Sequence, residues 1–134
     1  MNHLTIEQIL FIHDRLIEET GGSHGLRDLD GLLAATERPH AGTAESEFYP
    51  SLHDKAAVLM ESIVRNHAFI DGNKRTGLTA AGMLLALNGW EIRVSQREAF
   101  TFTMRIAYDQ PDDPRPNWRE ISEWLKEHSQ QSHA

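Results

Sequence analysis

Apolar side chains recur along this chain at helical spacing, in stretches that are separated by glycine, proline and short polar runs. Each stretch is preceded by a residue that can cap a helix and is followed by a residue that ends one. The pattern predicts helices over residues 6–20, 29–38, 52–68, 73–88, 96–109 and 118–128. We therefore expect an all-α protein, a compact single-domain bundle of about six helices over residues 1–134, in which residues 129–134 form a disordered tail.

The fourth predicted helix differs from the others in its second half. Residues 80–87 are small or apolar on every face, which is typical of a helix that is surrounded by other helices. We expect this helix at the centre of the bundle. The stretch from Trp90 to Val94 alternates like a strand, but one short strand without an obvious partner does not make a sheet.

Charge and composition exclude several classes of protein. The net charge of -7, from 20 acidic and 13 basic residues, argues against a general binder of nucleic acid or of anionic membranes. The absence of cysteine excludes disulfides, thiolate chemistry and cysteine-ligated zinc. The first residues lack the basic region of a signal peptide, and residues 80–87 are too few to span a bilayer. We expect a cytoplasmic protein with no direct contact to membranes or nucleic acid.

The candidate chemistry lies between the third and fourth helices, in the ten residues from His67 to Thr76. Gly72 allows the backbone to approach a ligand closely, and Asn73 is suited to cap a helix that opens with Lys74 and Arg75. The free N–H groups and the dipole of such a helix start both favour a bound phosphate. An ordinary cap followed by a solvated positive face explains these residues equally well when they are taken alone.

Two further side chains of this stretch can act on a phosphate. The apolar stripe of the third helix predicts that His67 points inward from the last helical turn, where it can serve as a general base. Asp71 is placed to hold a magnesium ion that bridges phosphate oxygens. The two residues could instead ligate zinc, although two ligands without a third make a weak zinc signal. Phe69 is expected to anchor the loop in the core, and His13 to be a satisfied histidine at the core edge.

The stretch from His67 to Thr76 resembles the signature of the Fic/Doc superfamily, His-x-Phe-x-Asp/Glu-Gly-Asn-Gly-Arg-x-x-Arg. It is closer to the death-on-curing (Doc) branch, in which Asn-Lys-Arg replaces Asn-Gly-Arg. Residues 25–28 and the pair Asn88-Gly89 are also similar to family segments. The resemblance implies a small helical bundle with the active-site loop between two central helices, and by analogy a target-docking flap at the loop from His40 to Pro50.

The resemblance also implies a role for each motif residue, with ATP as the co-substrate and Mg²⁺ as the metal. His67 would deprotonate the acceptor hydroxyl and Asp71 would coordinate the magnesium ion. The nucleotide would be held by four consecutive residues, Gly72 and Asn73 in the anion hole and Lys74 and Arg75 on the phosphates.

Two departures from the Fic signature bear on the reaction. Lys74 stands where Fic enzymes have glycine, and Leu78 stands where they have the second arginine. Both changes disfavour the pose that transfers AMP. The resemblance therefore implies a toxin of a type II toxin-antitoxin system, a Doc-like kinase that phosphorylates a Ser or Thr of elongation factor Tu and arrests translation. A Fic-like adenylyltransferase is the alternative hypothesis, and a catalytically silent protein-binding module is a third hypothesis.

The resemblance also bears on regulation. Inhibition within one chain would require a helix carrying Ser/Thr-x-x-x-Glu-Gly/Asn, and no glutamate of this sequence precedes glycine or asparagine. We therefore expect a separate, Phd-like antitoxin that acts in trans and folds as it binds an exposed groove.

Overall fold

The computed structural model describes residues 1–132 and confirms the all-α prediction. Within these residues six α-helices follow one another, with a short 3₁₀ turn, Arg38–His40, after the second. The helices are α1 (Ile6–Thr20), α2 (Leu29–Glu37), α3 (Leu52–Asn66), α4 (Asn73–Leu87), α5 (Gln96–Ala107) and α6 (Trp118–Glu127). No helix in the part of the chain that the structure describes is long and apolar enough to cross a membrane.

Most of the helices begin at a capping side chain that accepts a hydrogen bond from a backbone N–H three residues further on. Such a cap typically contributes about 1 kcal/mol, because it satisfies a donor that the helix itself leaves unpaired. The capping residues are Thr5, Asp28, Ser51, Ser95 and Asn117. Helix α4 is different, since it begins after Gly72 and has no side-chain cap.

Helix α3 forms the centre of the core, and most of its side chains are buried. One cluster of buried apolar residues draws members from all six described helices. Helix α4 lies directly on α3 at Gly77, where an added Cβ atom would come within 2.6 Å of Val64 Cγ2. This close approach fixes the first turns of α4, and therefore the motif, against the most buried helix.

The prediction that α4 is enclosed on every face is wrong. Its residues Met83 and Leu87 are exposed, beside the exposed ring of Phe11 on α1. The reason is that α3 already fills the centre, so α4 packs beside it and keeps one apolar edge at the surface.

The predicted disorder of residues 129–134 is wrong for Ser129–Gln131, which form strand β2. This strand pairs antiparallel with β1, Trp90–Ile92, so the strand that lacked a partner in the sequence has one. Ser132 extends the contact by donating its N–H to the carbonyl of Gly89. Polar residues form β2 because the pairing is made by backbone groups, which a hydropathy pattern does not record. Residues 133–134 lie outside the described residues.

Candidate active site

The first motif residue, His67, lies one position beyond the end of α3. Its φ of 49° and ψ of 45° are left-handed, a conformation that commonly ends a helix. The residue is exposed, so the prediction that the apolar stripe points it inward from the last turn is wrong. The periodicity of α3 no longer applies once the backbone has left the helix at Asn66.

The segment after α1 holds the motif loop by hydrogen bonds to the backbone groups of the loop. Arg27 donates its N–H to the carbonyl of Ala68, with 2.7 Å between the atoms, and its guanidinium to the carbonyl of His67 at 2.6 Å. Ile70 donates its N–H to the carbonyl of Gly25 at 3.0 Å. The loop is therefore attached to a distant part of the chain at three of its residues, His67, Ala68 and Ile70.

Asn73 closes the loop onto itself, and does not cap α4 as predicted. Its side-chain oxygen accepts from the N–H of Phe69 at 3.0 Å, and its side-chain nitrogen donates to the carbonyl of the same residue at 2.9 Å. Gly72 takes the cap position instead, with a φ of 80° that favours glycine. The Asn73 side-chain amide is bonded to Phe69, so it does not cap the helix. The first N–H groups of α4 therefore have no side-chain partner within residues 1–132. This leaves the positive end of the helix available to an anion.

The carboxylate of Asp71 lies at this helix terminus. It accepts hydrogen bonds from the N–H groups of Ser23, at 3.1 Å, and Gly72, at 2.8 Å. These two bonds, together with the charges of Arg75 and Lys74, hold the pKa of Asp71 below its usual value, so that the group is ionised at neutral pH.

The chemistry of this donor set fits magnesium. A protein-bound Mg²⁺ ion takes one or two carboxylates and completes its octahedron with water and phosphate oxygens. Asp71 is an ionised and accessible carboxylate beside a helix end that attracts phosphate. It could therefore hold such an ion if water and a bound phosphate supplied the remaining ligands.

The two cations of the motif are held in different ways. Lys74 places its Nζ 5.4 Å from the centroid of the Tyr108 ring, a cation–π contact at the surface. Arg75 donates through one guanidinium nitrogen to the Thr20 hydroxyl and to the carbonyl of Gly21. Its other guanidinium nitrogens have no hydrogen-bond partner within residues 1–132, so Arg75 can still bind a phosphate while α1 fixes its direction.

A cleft of about 470 Å³ opens beside the motif, a size that is ordinary for a small-molecule site. Its walls come from the start of α4 and from one face of α5. The lining residues are Asp71, Gly72, Asn73, Lys74, Arg75, Leu78, Gln96, Ala99, Phe100 and Thr103. The structure thus brings together every predicted metal and nucleotide residue, while His67 lies outside the lining of the cleft.

His13 contributes to this site although the sequence assigned it no such role. It is buried, its ring stacks on Phe69, and its Nε2 lies 2.8 Å from the carbonyl oxygen of Asp71. The prediction of a satisfied histidine is confirmed, as is the prediction that Phe69 anchors the loop in the core. The sequence signal for this contact is a histidine on the apolar stripe of a helix. Such a histidine is buried, and a buried imidazole needs a polar partner elsewhere in the chain.

Comparison with known proteins identifies the family. Residues 3–85, more than half of the chain, match the profile of the Fic/DOC family. The chain belongs to the Fic/DOC family. Its matched region covers the motif, all of α3 and α4 as far as residue 85, and the predicted Fic/Doc-like bundle is thereby confirmed.

Two relatives of this Fic/DOC protein carry Doc names, which confirms the resemblance to the Doc branch. It is 47% identical over 72 residues to "Toxin Doc" of Mycolicibacterium smegmatis, an alignment that covers 54% of this chain and 55% of the relative. It is 33% identical over 92 residues to "Protein kinase doc" of Escherichia phage P1, covering 69% of this chain and 72% of the relative. The chain thus spans about half the length of the mycobacterial toxin.

Proposed function

We propose that this Fic/DOC protein is a Doc-like toxin that acts as an ATP-dependent protein kinase on a Ser or Thr hydroxyl. The observation that carries the proposal is the lining of the cleft, which includes both departures from the Fic signature, Lys74 and Leu78. A lysine at the first position fills space next to the helix terminus with positive charge. A leucine at the second position offers no hydrogen bond to a terminal phosphate.

The proposed reaction is the transfer of the terminal phosphoryl group of ATP. The acceptor oxygen forms a bond to the γ-phosphorus, the bond from that phosphorus to the bridging oxygen breaks, and ADP leaves. His67 takes the proton of the acceptor hydroxyl, a step that typically contributes about a hundred- to ten-thousand-fold in rate. The exposure of His67 suits this role, because the hydroxyl arrives on a second protein.

The remaining residues stabilise charge and hold the nucleotide. The open N-terminus of α4, with Gly72 and Asn73, Lys74 and Arg75, would bind the phosphates. A magnesium ion held by Asp71 would neutralise charge on the phosphate oxygens. Phosphoryl transfer requires little beyond such positioning and charge stabilisation.

The proposed acceptor is elongation factor Tu, with arrest of translation as the consequence, and a Phd-like antitoxin in trans as the regulator. The name of the phage relative, "Protein kinase doc", supports kinase activity. The name of the mycobacterial relative, "Toxin Doc", supports action as a toxin.

The position of the transferred label tests the proposal. The protein is incubated with Mg²⁺, purified elongation factor Tu, and ATP labelled on either the α- or the γ-phosphorus. We expect label on the factor from the γ-phosphorus only, and a mass gain of one phosphate. Label from the α-phosphorus would mean adenylylation, and no label with growth arrest retained in the His67→Asn variant would mean a protein-binding module.

A further inference from the structure

His13 on α1 touches the motif loop from behind through two separate contacts. Its ring lies parallel to that of Phe69, with 3.8 Å between the centroids and 7° between the planes. Its Nε2 lies 2.8 Å from the carbonyl oxygen of Asp71. Only 4% of the residue is exposed, so water has little access to either contact.

The hydrogen bond runs in one direction. A carbonyl oxygen can only accept, so Nε2 of His13 carries the proton and donates it. The accepting oxygen belongs to the peptide group between Asp71 and Gly72, and that group is planar. The same peptide group presents the N–H of Gly72, which donates to Oδ1 of Asp71 at 2.8 Å.

A continuous chain of contacts therefore connects the imidazole to the carboxylate. When His13 fixes one edge of the planar peptide group, it also fixes the direction of the N–H on the opposite edge. That N–H in turn holds one carboxylate oxygen of Asp71, while the N–H of Ser23 holds the other. The imidazole also fills the space behind the turn, since a Cβ atom on Gly72 would lie 3.6 Å from Cδ2 of His13.

We propose that His13 is a positioning residue, which orients the Asp71 carboxylate through the Asp71–Gly72 peptide group and so sets the affinity of the site for a divalent cation. The proposal rests on the proposed function in one respect, namely that Asp71 is the metal ligand. Residues that orient a metal ligand commonly change metal affinity about 10- to 100-fold when they are replaced.

Two variants of His13 separate its two contacts. His13→Phe keeps an aromatic ring against Phe69 and removes the donor, whereas His13→Gln keeps a donor and removes the ring. His53→Phe is the matched control. His53 is also buried, at 8% exposed, and its Nε2 lies 2.9 Å from the Ser129 hydroxyl, while its ring contacts Trp90 edge-on. The control loses one hydrogen bond and keeps an aromatic ring, as His13→Phe does, at a site outside the motif.

The first measurement is the Mg²⁺ concentration that gives half-maximal phosphoryl transfer. We expect His13→Phe to raise it about tenfold, with a smaller change in the rate at saturating Mg²⁺, and His13→Gln to recover part of the loss. The control should resemble the wild type. If His13→Phe and His53→Phe required the same Mg²⁺ concentration, the proposal would be overturned, because the effect of His13 would not be specific to the motif.

The second measurement does not depend on activity. Amide hydrogen exchange is followed at Gly72 and Ser23, whose N–H groups hold the carboxylate. We expect faster exchange at both amides in His13→Phe than in His53→Phe, and unchanged exchange would overturn the proposal. If the wild type transfers no phosphate while exchange responds to His13, the proposed function fails and the positioning role of His13 stands.

Discussion

The motif loop, residues 67–72, is tied to three separate parts of the chain. One buried side chain donates hydrogen bonds to two residues of the loop of residues 41–51, Glu47 and Tyr49, and the Tyr49 ring also contacts Trp118. Segment 25–28, Asn73 and His13 each hold the motif loop. The buried side chain that donates to the other loop is Lys55, which is 2% exposed. The ammonium group of Lys55 donates to the carbonyls of Tyr49 and Pro39, at 2.6 and 3.2 Å, and to the Glu47 carboxylate at 2.9 Å.

The two loops are therefore held by different groups of the protein. Backbone groups of residues 25–28 and the amide of Asn73 hold the motif loop, so its shape does not depend on the ring of His67 or on the ammonium group of Lys74. Loss of the Lys55 ammonium group should loosen the loop of residues 41–51, although the Tyr49 ring would still contact Trp118. Activity and loop mobility should therefore respond to different substitutions.

The largest effect is expected at His67. His67→Asn should lower phosphoryl transfer about 100- to 10,000-fold, because it removes the proposed general base. Asparagine tolerates the left-handed backbone found at this position, and the ring makes no hydrogen bond within residues 1–132, so the melting temperature should stay within a few degrees. The transfer rate and thermal unfolding are measured on the same preparation. His3→Asn, at another exposed histidine, is the control, and an equal loss of transfer in both variants would contradict the assignment.

A smaller effect, and one on stability, is expected at Lys55. Lys55→Met keeps the apolar stem but leaves the carbonyls of Tyr49 and Pro39 without their donor, which should cost about 1–3 kcal/mol of unfolding free energy in urea. Limited proteolysis should cut residues 41–51 faster, while amide exchange in the motif loop stays unchanged. Lys126→Met, at an exposed lysine, should do neither. Equal proteolysis of the two variants would show that Lys55 is not the anchor.

Acid should lower the free energy of unfolding in two separate pH windows, one set by His40 and one by Asp71. Burial, and then the nearby charges of His3 and Lys55, lower the pKa of His40 from 6.5. The unfolded chain then binds a proton more readily than the folded one, so the free energy of unfolding falls as the pH drops below about 6.5. The pKa of Asp71 is also lowered, but a carboxylate that is ionised in the fold stabilises it above its unfolded pKa, and this contribution is lost only below about pH 4.

Thermal unfolding between pH 7.5 and about 3 distinguishes the two windows. His40→Gln should flatten the upper part of the curve and Asp71→Asn the lower part. If the His40 variant left the upper part unchanged, His40 would not be the group that titrates there.

The features that the sequence predicted are the local ones. Helix starts were readable because a cap such as Thr5 and its partner lie three residues apart, and the order of the motif placed Asp71 and Lys74 at one helix end. Features made by contacts between distant residues were not readable. His13 meets Asp71 across 58 positions of sequence, and no spacing rule connects them.

The same distinction explains the wrong predictions. We predicted that His67 continues α3, but its backbone is left-handed. Residues 25–28 form hydrogen bonds to the loop that begins there, and these bonds are not available to a continued helix. Strand β2 depends on a partner about forty residues earlier, and its Ser-Gln-Gln sequence has no apolar alternation to reveal it.

The smallest effect is expected at Thr76, which directly follows the two cations that we propose bind phosphate. Thr76 is fully buried, and its hydroxyl has no hydrogen-bond partner in the part of the chain that the structure describes. Thr76→Val removes this unpaired hydroxyl and keeps the branched shape, so the free energy of unfolding should stay equal or rise by up to about 1 kcal/mol. A clear loss of stability would mean that the hydroxyl is paired in solution. Because the motif loop is held by other groups, phosphoryl transfer should not change; a loss of transfer without a loss of stability would instead make Thr76 part of the motif's support.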